Sequence, residues 1–200
     1  MSDLYLDCET TGLYAIVHRI VCIGVMRGAQ MDYFIDKNEK KMLEGFLDFL
    51  SADDVLVGFN IGFDYGFLVL RCLKHGLDPS KLISRQRVDL MEIVKKLLGG
   101  SRVSLQTLAD FFGIKYNPAS GKFVPEIWES GDTDAIRHHC LSDIMLLSEL
   151  HVRLISLLRV PPTPEQLDYM QSLGIEIKPG LTKKEASRLL DEATGKKGRR

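Results

Sequence analysis

The sequence has no uncharged apolar run near the roughly 18 residues that a bilayer-spanning helix needs, so no membrane-spanning helix is expected. It also has almost no net charge. With 26 Lys+Arg against 27 Asp+Glu, the chain as a whole does not attract nucleic acid as a strongly basic domain would, and any polyanion contact must be local. There is no C-x-x-C pair: Cys8, Cys22, Cys72 and Cys140 stand singly among apolar neighbours, as buried reduced thiols do, and are assigned no chemistry. Neither G-x-x-x-x-G-K nor G-x-G-x-x-G occurs, so no phosphate loop is expected. No internal repeat is visible, and the only biased tract is the Lys/Arg-rich last five residues. The opening MSDLYLDCET puts acids where a secretory signal needs a basic patch and an apolar stretch. The expectation is a soluble, cytoplasmic protein.

What is present suffices for a globular core: 200 residues, 45% apolar and 26% charged, make one to two domains. Residues 1–160 carry 18 bases and 21 acids, and residues 161–200 carry 8 and 6. Pro161, Pro162 and Pro164 stop a preceding helix and stiffen the connection. The expected division is a domain over 1–160 and a smaller helical module over 161–200.

Short strands are read at Leu4–Leu6, Arg19–Met26 and Tyr33–Ile35, with Gly28-Ala29-Gln30 as the turn of an antiparallel meander. Leu43, Phe46, Leu47 and Leu50 fall at helical spacing, Val55–Val57 reads as a further strand, and a helix is read from about Asp64 to Lys74. Strand, helix, strand, helix implies a crossover. Helical patterns continue over 90–98, over 104–113 behind a Ser104 cap, and over about 133–158 behind Asp132 or Thr133. The sum is an α/β class: a mixed sheet with helices packed on it.

Three clusters stand out. Asp7-Cys8-Glu9 ends the first strand, where residues two apart share a face. Two carboxylates side by side need a cation or a shared proton, unless the strand merely ends in water. In Gly58-Phe59-Asn60-Ile61-Gly62-Phe63-Asp64-Tyr65-Gly66, Asn60 and Asp64 lie where a strand gives way to a helix. A helix cap is the plainer account of Asp64, and close packing the plainer account of the glycines. Neither explains Asn60. In Arg137-His138-His139-Cys140-Leu141-Ser142-Asp143, Asp143 borders the apolar stripe of Ile144, Leu147 and Leu150, so it lies beside a buried face.

Together these segments resemble the DEDD superfamily of 3′-to-5′ exonucleases, whose three motifs they match in order. Asp7-Cys8-Glu9-Thr10-Thr11-Gly12-Leu13 resembles the first motif, Asn60 through Asp64 the N-x-x-x-D second, and His138 through Asp143 the H-x-x-x-x-D third. The resemblance covers about residues 3–158. It implies a ribonuclease-H-like fold, a five-stranded mixed sheet flanked by helices, in agreement with the pattern read above.

It also implies that Asp7, Glu9, Asp64 and Asp143 hold two divalent ions, with Asp7 bridging both. Such ions clamp the attacking and leaving oxygens of a displacement at phosphorus, and all-oxygen ligands favour Mg²⁺ or Mn²⁺. A histidine is suited to take the proton of the attacking water. His138 lies five residues before Asp143, the histidine-type spacing; His139 lies four before, where the tyrosine-type subgroup has its Tyr and an ideal helix puts both on one face. By resemblance, Thr10, Thr11, Gly12 and Leu13 shape the terminal-nucleotide pocket, and Asn60 hydrogen-bonds substrate. Phe63 and Tyr65 read as core, with base stacking as the alternative. Asp89 resembles a recurrent acid of the family but is left outside the ligand set.

Thr163-Pro164-Glu165-Gln166 and Thr182-Lys183-Lys184-Glu185 carry the capping-box pattern and predict two C-terminal helices. Residues 178–200 hold eight bases and three acids, either a grip on phosphates or a solvated end. The expected function is a metal-dependent 3′–5′ exonuclease acting on single-stranded 3′ ends, DNA before RNA, releasing 5′-mononucleotides. The alternatives are an exoribonuclease on short RNA and a catalytically idle nucleic-acid-binding module.

Overall fold

The computed structural model describes residues 2–116, 124–158 and 161–195. The first strand, β1 (Ser2–Thr10), runs through the middle of a five-stranded sheet of order β3-β2-β1-β4-β5. It pairs antiparallel with β2 (Ile20–Arg27), which turns through Gly28 into β3 (Gln30–Phe34). On its other side it pairs parallel with β4 (Asp54–Gly58), reached through α1 (Glu39–Phe49), and β4 pairs parallel with β5 (Gln86–Asp89). The meander and the crossover are thus as the pattern predicts. Between β4 and β5 lie α2 (Ile61–Lys74) and the single turn α3 (Ser80–Ile83); α4 (Leu90–Leu97), α5 (Leu105–Phe112), α6 (Val124–Ser130) and α7 (Thr133–Leu158) come after β5. Ser104 caps α5 by accepting the Thr107 N–H, and Asp132 accepts the Ala135 N–H at the start of α7.

Alternation along β1 sorts its side chains. Leu4, Leu6 and Cys8 enter the core formed with α1 and α2, which includes Leu43, Phe46, Ile61, Phe67 and Leu68. Asp7 and Glu9 therefore face the other layer, where Val21, Cys22, Val124, Ile136 and Cys140 form a second apolar cluster. Register shifts between Glu9 and Thr10, where β2 carries one extra residue, so a bulge falls beside the acids. Phe63 and Tyr65 pack on the first core; Phe63 lies against the Phe67 ring and Tyr65 beneath the Arg87 guanidinium.

Glu39, at the start of α1, is buried. It accepts from Arg71 Nε at 2.9 Å and from the Ile20 N–H at 2.8 Å, and it meets His75 Nε2 at 2.8 Å. Burial opposes its charge, yet these three donors hold its carboxyl below the usual range.

The chain divides into two compact units, residues 1–150 and 151–200, the division falling within α7. In the second, α8 (Pro164–Ser172) and α9 (Lys183–Thr194) each begin with a complete capping box, on Thr163–Gln166 and Thr182–Glu185. Gln166 Nε2 donates to Ser187 Oγ and to the Lys183 carbonyl, joining the two helices. The basic last five residues, 196–200, lie outside the described residues. Among the described residues no helix is long and apolar enough to cross a membrane. All four cysteines are free and buried.

Candidate active site

Three elements bring the acids to one end of the sheet. β1 extends past the end of β4: the parallel register stops at Tyr5–Val57 and Gly58 closes β4. That leaves the Cys8 N–H without a strand partner, and Asp64 Oδ1 accepts it at 3.0 Å. Asp64 is therefore not the cap of α2. Asn60 occupies that position in the left-handed conformation, φ 61°, with no side-chain cap bond, and its N–H is held by Asp89 Oδ1 at 2.9 Å. Asp89 also caps α4 through the Met91 N–H, which gives it a structural use outside the acid cluster. The Asn60 side chain stays exposed at the junction. Gly58 does serve close packing, since a Cβ there would lie 2.7 Å from Ile61 Cβ; Gly62 and Gly66 have open space.

The third element is α7. Ligand atoms of Glu9, His139 and Asp143 all lie within 4.8 Å of one another, as do those of Asp7, Glu9 and Cys140. His139 Nε2 is 3.4 Å from Glu9 Oε1 and 3.9 Å from Asp143 Oδ2. His139 is buried and its Nδ1 has no hydrogen-bond partner among the described residues, whereas His138 is exposed. The structure thus brings Asp7, Glu9, Asp64, Asp143 and His139 to one place and leaves His138 outside it. Thr10 and Thr11 use their hydroxyls to close the loop after β1: Thr10 Oγ1 donates to the Gly12 carbonyl at 2.7 Å, and Thr11 Oγ1 accepts the Arg19 N–H at 3.1 Å. Gly12 lies against the His18 ring, and Leu13 is exposed.

Two residues of this site were not singled out from the sequence. Asp7 pairs with Gly24 on β2, and a Cβ at Gly24 would lie 2.7 Å from Cys140 Sγ. Cys140 in turn places Sγ 3.7 Å from Asp7 Oδ2. A glycine inside a β-branched strand signals such a close approach. Gly24→Ala should push α7 off β1 and lower any cleavage by tenfold or more, since forced overpacking costs roughly 1–3 kcal/mol. Adding Cys140→Ala should recover part of that loss in a double-mutant cycle; additive losses would mean that the two do not meet.

No Lys or Arg pairs with the four acids among the described residues. Burial, and then the charge of Asp143, raise the Asp7 carboxyl to about 7. Burial, with the charge of Asp7 next in weight, raises Glu9 and Asp64 well above the carboxylate range. Asp143 is also raised by burial, against the pull of His139. Protein stripped of metal therefore binds more protons folded than unfolded between roughly pH 4 and pH 7, so its stability falls as pH rises through that window. The expected melting temperature in EDTA is several degrees lower at pH 8 than at pH 5, with Mn²⁺ restoring it at pH 8 and doing little at pH 5. A thermal scan insensitive to both pH and Mn²⁺ would remove the electrostatic reading of this cluster.

Cations fit this donor set. The carboxylates offer hard oxygens, the mutual repulsion is what a divalent ion relieves, and the unpartnered buried His139 adds a nitrogen facing the same space.

Comparison with known proteins agrees with the fold. The chain is 37% identical over 151 residues to Uncharacterized protein MJ0365 of Methanocaldococcus jannaschii, covering 70% of this chain and 86% of that one. It is 23% identical over 192 residues to a DNA polymerase of Archaeoglobus fulgidus, covering 80% of this chain but 25% of the polymerase. Among solved structures it superposes on E. coli exonuclease I in complex with a dT13 oligonucleotide with a TM-score of 0.59 at 14% identity, covering 82% of this chain and 46% of that one. Residues 4–155 match the family described as the RNase_H superfamily. That match runs through every strand and through each helix that carries one of the four acids, and the chain belongs to the RNase_H superfamily.

Proposed function

We propose that this chain is a metal-dependent 3′–5′ exonuclease that hydrolyses nucleic acid from single-stranded 3′ ends, DNA above all, and releases 5′-mononucleotides. The observation that carries the reading is the convergence of Glu9, Asp143 and His139 on Asp7, with Asp64 held beside them by the Cys8 N–H. In this reading Asp7, Glu9, Asp64 and Asp143 hold two divalent ions, Mg²⁺ or Mn²⁺. Such ions, when bound, supply Lewis-acid stabilisation of the attacking and leaving oxygens.

The remaining chemistry belongs to the chain. His139, four residues before Asp143 on the same helix face, takes the proton of the attacking water. Its neighbours Glu9 and Asp143 stabilise the imidazolium that results. Thr10, Thr11 and Gly12 hold the loop beside the acids, Leu13 meets the terminal base, and Asn60 offers an exposed amide at the β4–α2 junction. We assign this work to a domain over residues 1–160 and retention of substrate to the basic module over 161–200. A single-stranded substrate accords with the dT13 oligonucleotide held by E. coli exonuclease I, a protein of the same fold. The cytoplasm is the proposed location.

The test uses 5′-labelled single-stranded DNA and RNA of one sequence, each with Mg²⁺, Mn²⁺ or EDTA. The expected result is progressive shortening from the 3′ end with either metal and none in EDTA, faster on DNA. Faster shortening of RNA would reassign the substrate through its 2′-hydroxyl. Binding with no shortening under any metal would make the chain an idle binding module.

A further inference from the structure

The loop between β1 and β2 is tied at many points, yet it displays apolar side chains to solvent. Its base is closed by Thr11 and Arg19, with the Thr11 N–H donating to the Arg19 carbonyl and the Arg19 N–H donating to Thr11 Oγ1. Its tip is a turn in which the Tyr14 carbonyl accepts from the Val17 N–H at 3.0 Å and the His18 N–H at 2.8 Å. Ala15 faces inward and packs on the core, and its carbonyl accepts from Arg71 Nη1 at 3.2 Å. That is the same Arg71 whose Nε is fixed by buried Glu39. The backbone is therefore held from inside the domain while Leu13, Tyr14, Ile16 and Val17 are 74%, 71%, 83% and 75% exposed.

Single exposed apolar residues are ordinary, but four of them within five positions form a contiguous patch that points to a ligand. Three observations say which ligand. The patch begins four residues after Glu9, so it lies within roughly 14 Å of the acids along the chain. Residues 10–17 carry no charge, so they offer nothing to phosphates or to ionic partners. And the neighbouring acids repel a phosphate backbone, so a strand reaching them needs a grip that does not depend on charge. Unpaired nucleobases, with their π faces, provide one.

We propose that Tyr14, Ile16 and Val17 form a preformed platform for unpaired nucleobases beside the acid cluster, with Arg71 as a positioning residue acting through the Ala15 carbonyl. The inference rests on the nuclease reading for its choice of ligand. It assigns selection of single-stranded over paired substrate to this loop, because bases inside a duplex do not expose their faces to it.

The test is binding of the full chain in EDTA, by fluorescence anisotropy, to labelled oligothymidylate and to an abasic deoxyribose-phosphate oligomer of equal length. The unaltered protein should prefer the base-bearing oligomer by tenfold or more, since stacking one base is worth on the order of tenfold in affinity. The triple variant Tyr14→Ser, Ile16→Ser, Val17→Ser changes exposed positions only and should bring the two affinities within about twofold. Arg71→Lys keeps a charge for Glu39 but loses the planar fork; it should lower the base preference and leave abasic binding unchanged, which a merely stabilising residue would not do. An unaltered protein that binds both oligomers equally, or a triple variant that keeps the full preference, overturns the platform. So does a triple variant that changes only self-association. Cleavage of the same oligothymidylate with Mn²⁺, measured on the unaltered protein, separates the two readings: a cleaving protein whose triple variant keeps its base preference retains the nuclease reading and loses the platform. An inactive protein whose base preference vanishes in the variant retains the platform and loses the nuclease.

Discussion

Asp7→Asn should leave the protein folded, lower cleavage by on the order of 10³-fold or more, and raise the melting temperature of metal-free protein at pH 8. The first effect comes from loss of a proposed ligand: a bound ion contributes several kcal/mol of transition-state stabilisation, and each 1.36 kcal/mol is tenfold in rate. The second comes from repulsion. Asp7 is the neighbour whose charge raises both Glu9 and Asp64, so a neutral side chain of the same shape relieves two buried carboxylates at once. Activity and stability should therefore move in opposite directions, which a general folding defect cannot produce. Single-turnover cleavage with Mn²⁺ and a thermal scan in EDTA measure the pair. A folded variant that turns over normally would end the two-ion reading, and one that melts lower at pH 8 would show that Asp7 contributes to packing instead.

The parts of this site that were legible in the sequence are those whose chemistry depends on spacing within one element. Asp7 and Glu9 two apart on a strand share a face whatever the strand pairs with, and the structure has them so. The apolar stripe of α7 places Asp143 beside buried residues, and the capping boxes at Thr163 and Thr182 are complete as written. What was not legible depends on contacts between elements. β5 is four residues, Gln86–Asp89, two of them charged, so neither alternation nor length marks it; it exists because β4 offers a parallel partner. α6 is seven residues, too short for a periodic signal, and gains its place from Val124 in the second core. Asp64 reads as a helix cap until it is known that β1 runs beyond β4 and leaves the Cys8 N–H to be met. Cys140 reads as an inert thiol because nothing local shows Gly24 opposite it. Even the exposed loop after Leu13 is written plainly as Tyr14-Ala15-Ile16-Val17, but an apolar string reads as core until the fold turns it outward.

His139→Ala should cost roughly 10² to 10⁴-fold in cleavage, the loss typical of a missing general base, and His138→Ala far less. Motif spacing and helix geometry disagree here, and the magnitude of the disagreement can be stated. At 3.6 residues per turn, a residue four before Asp143 is displaced by about 40° around the helix and one five before by about 140°. α7 is continuous through both histidines, from Thr133 to Leu158, so there is no break that would let His138 swing toward the acids. The side chains obey that arithmetic, with His139 buried at 3.4 Å from Glu9 and His138 in solvent. A lost proton acceptor is distinguishable from a lost ligand. In His139→Ala the vacated space lies beside the acids, so added imidazole should restore part of the activity; it should restore none to Asp7→Asn, where the ions themselves are displaced. The measurement is single-turnover cleavage by both histidine variants across an imidazole titration, with thermal scans to confirm folding. A larger loss in His138→Ala would return the role to the five-residue spacing and require the first turns of α7 to rearrange when substrate binds. Equal and small losses would mean that neither histidine moves the proton, leaving the work to the carboxylates and the ions they hold.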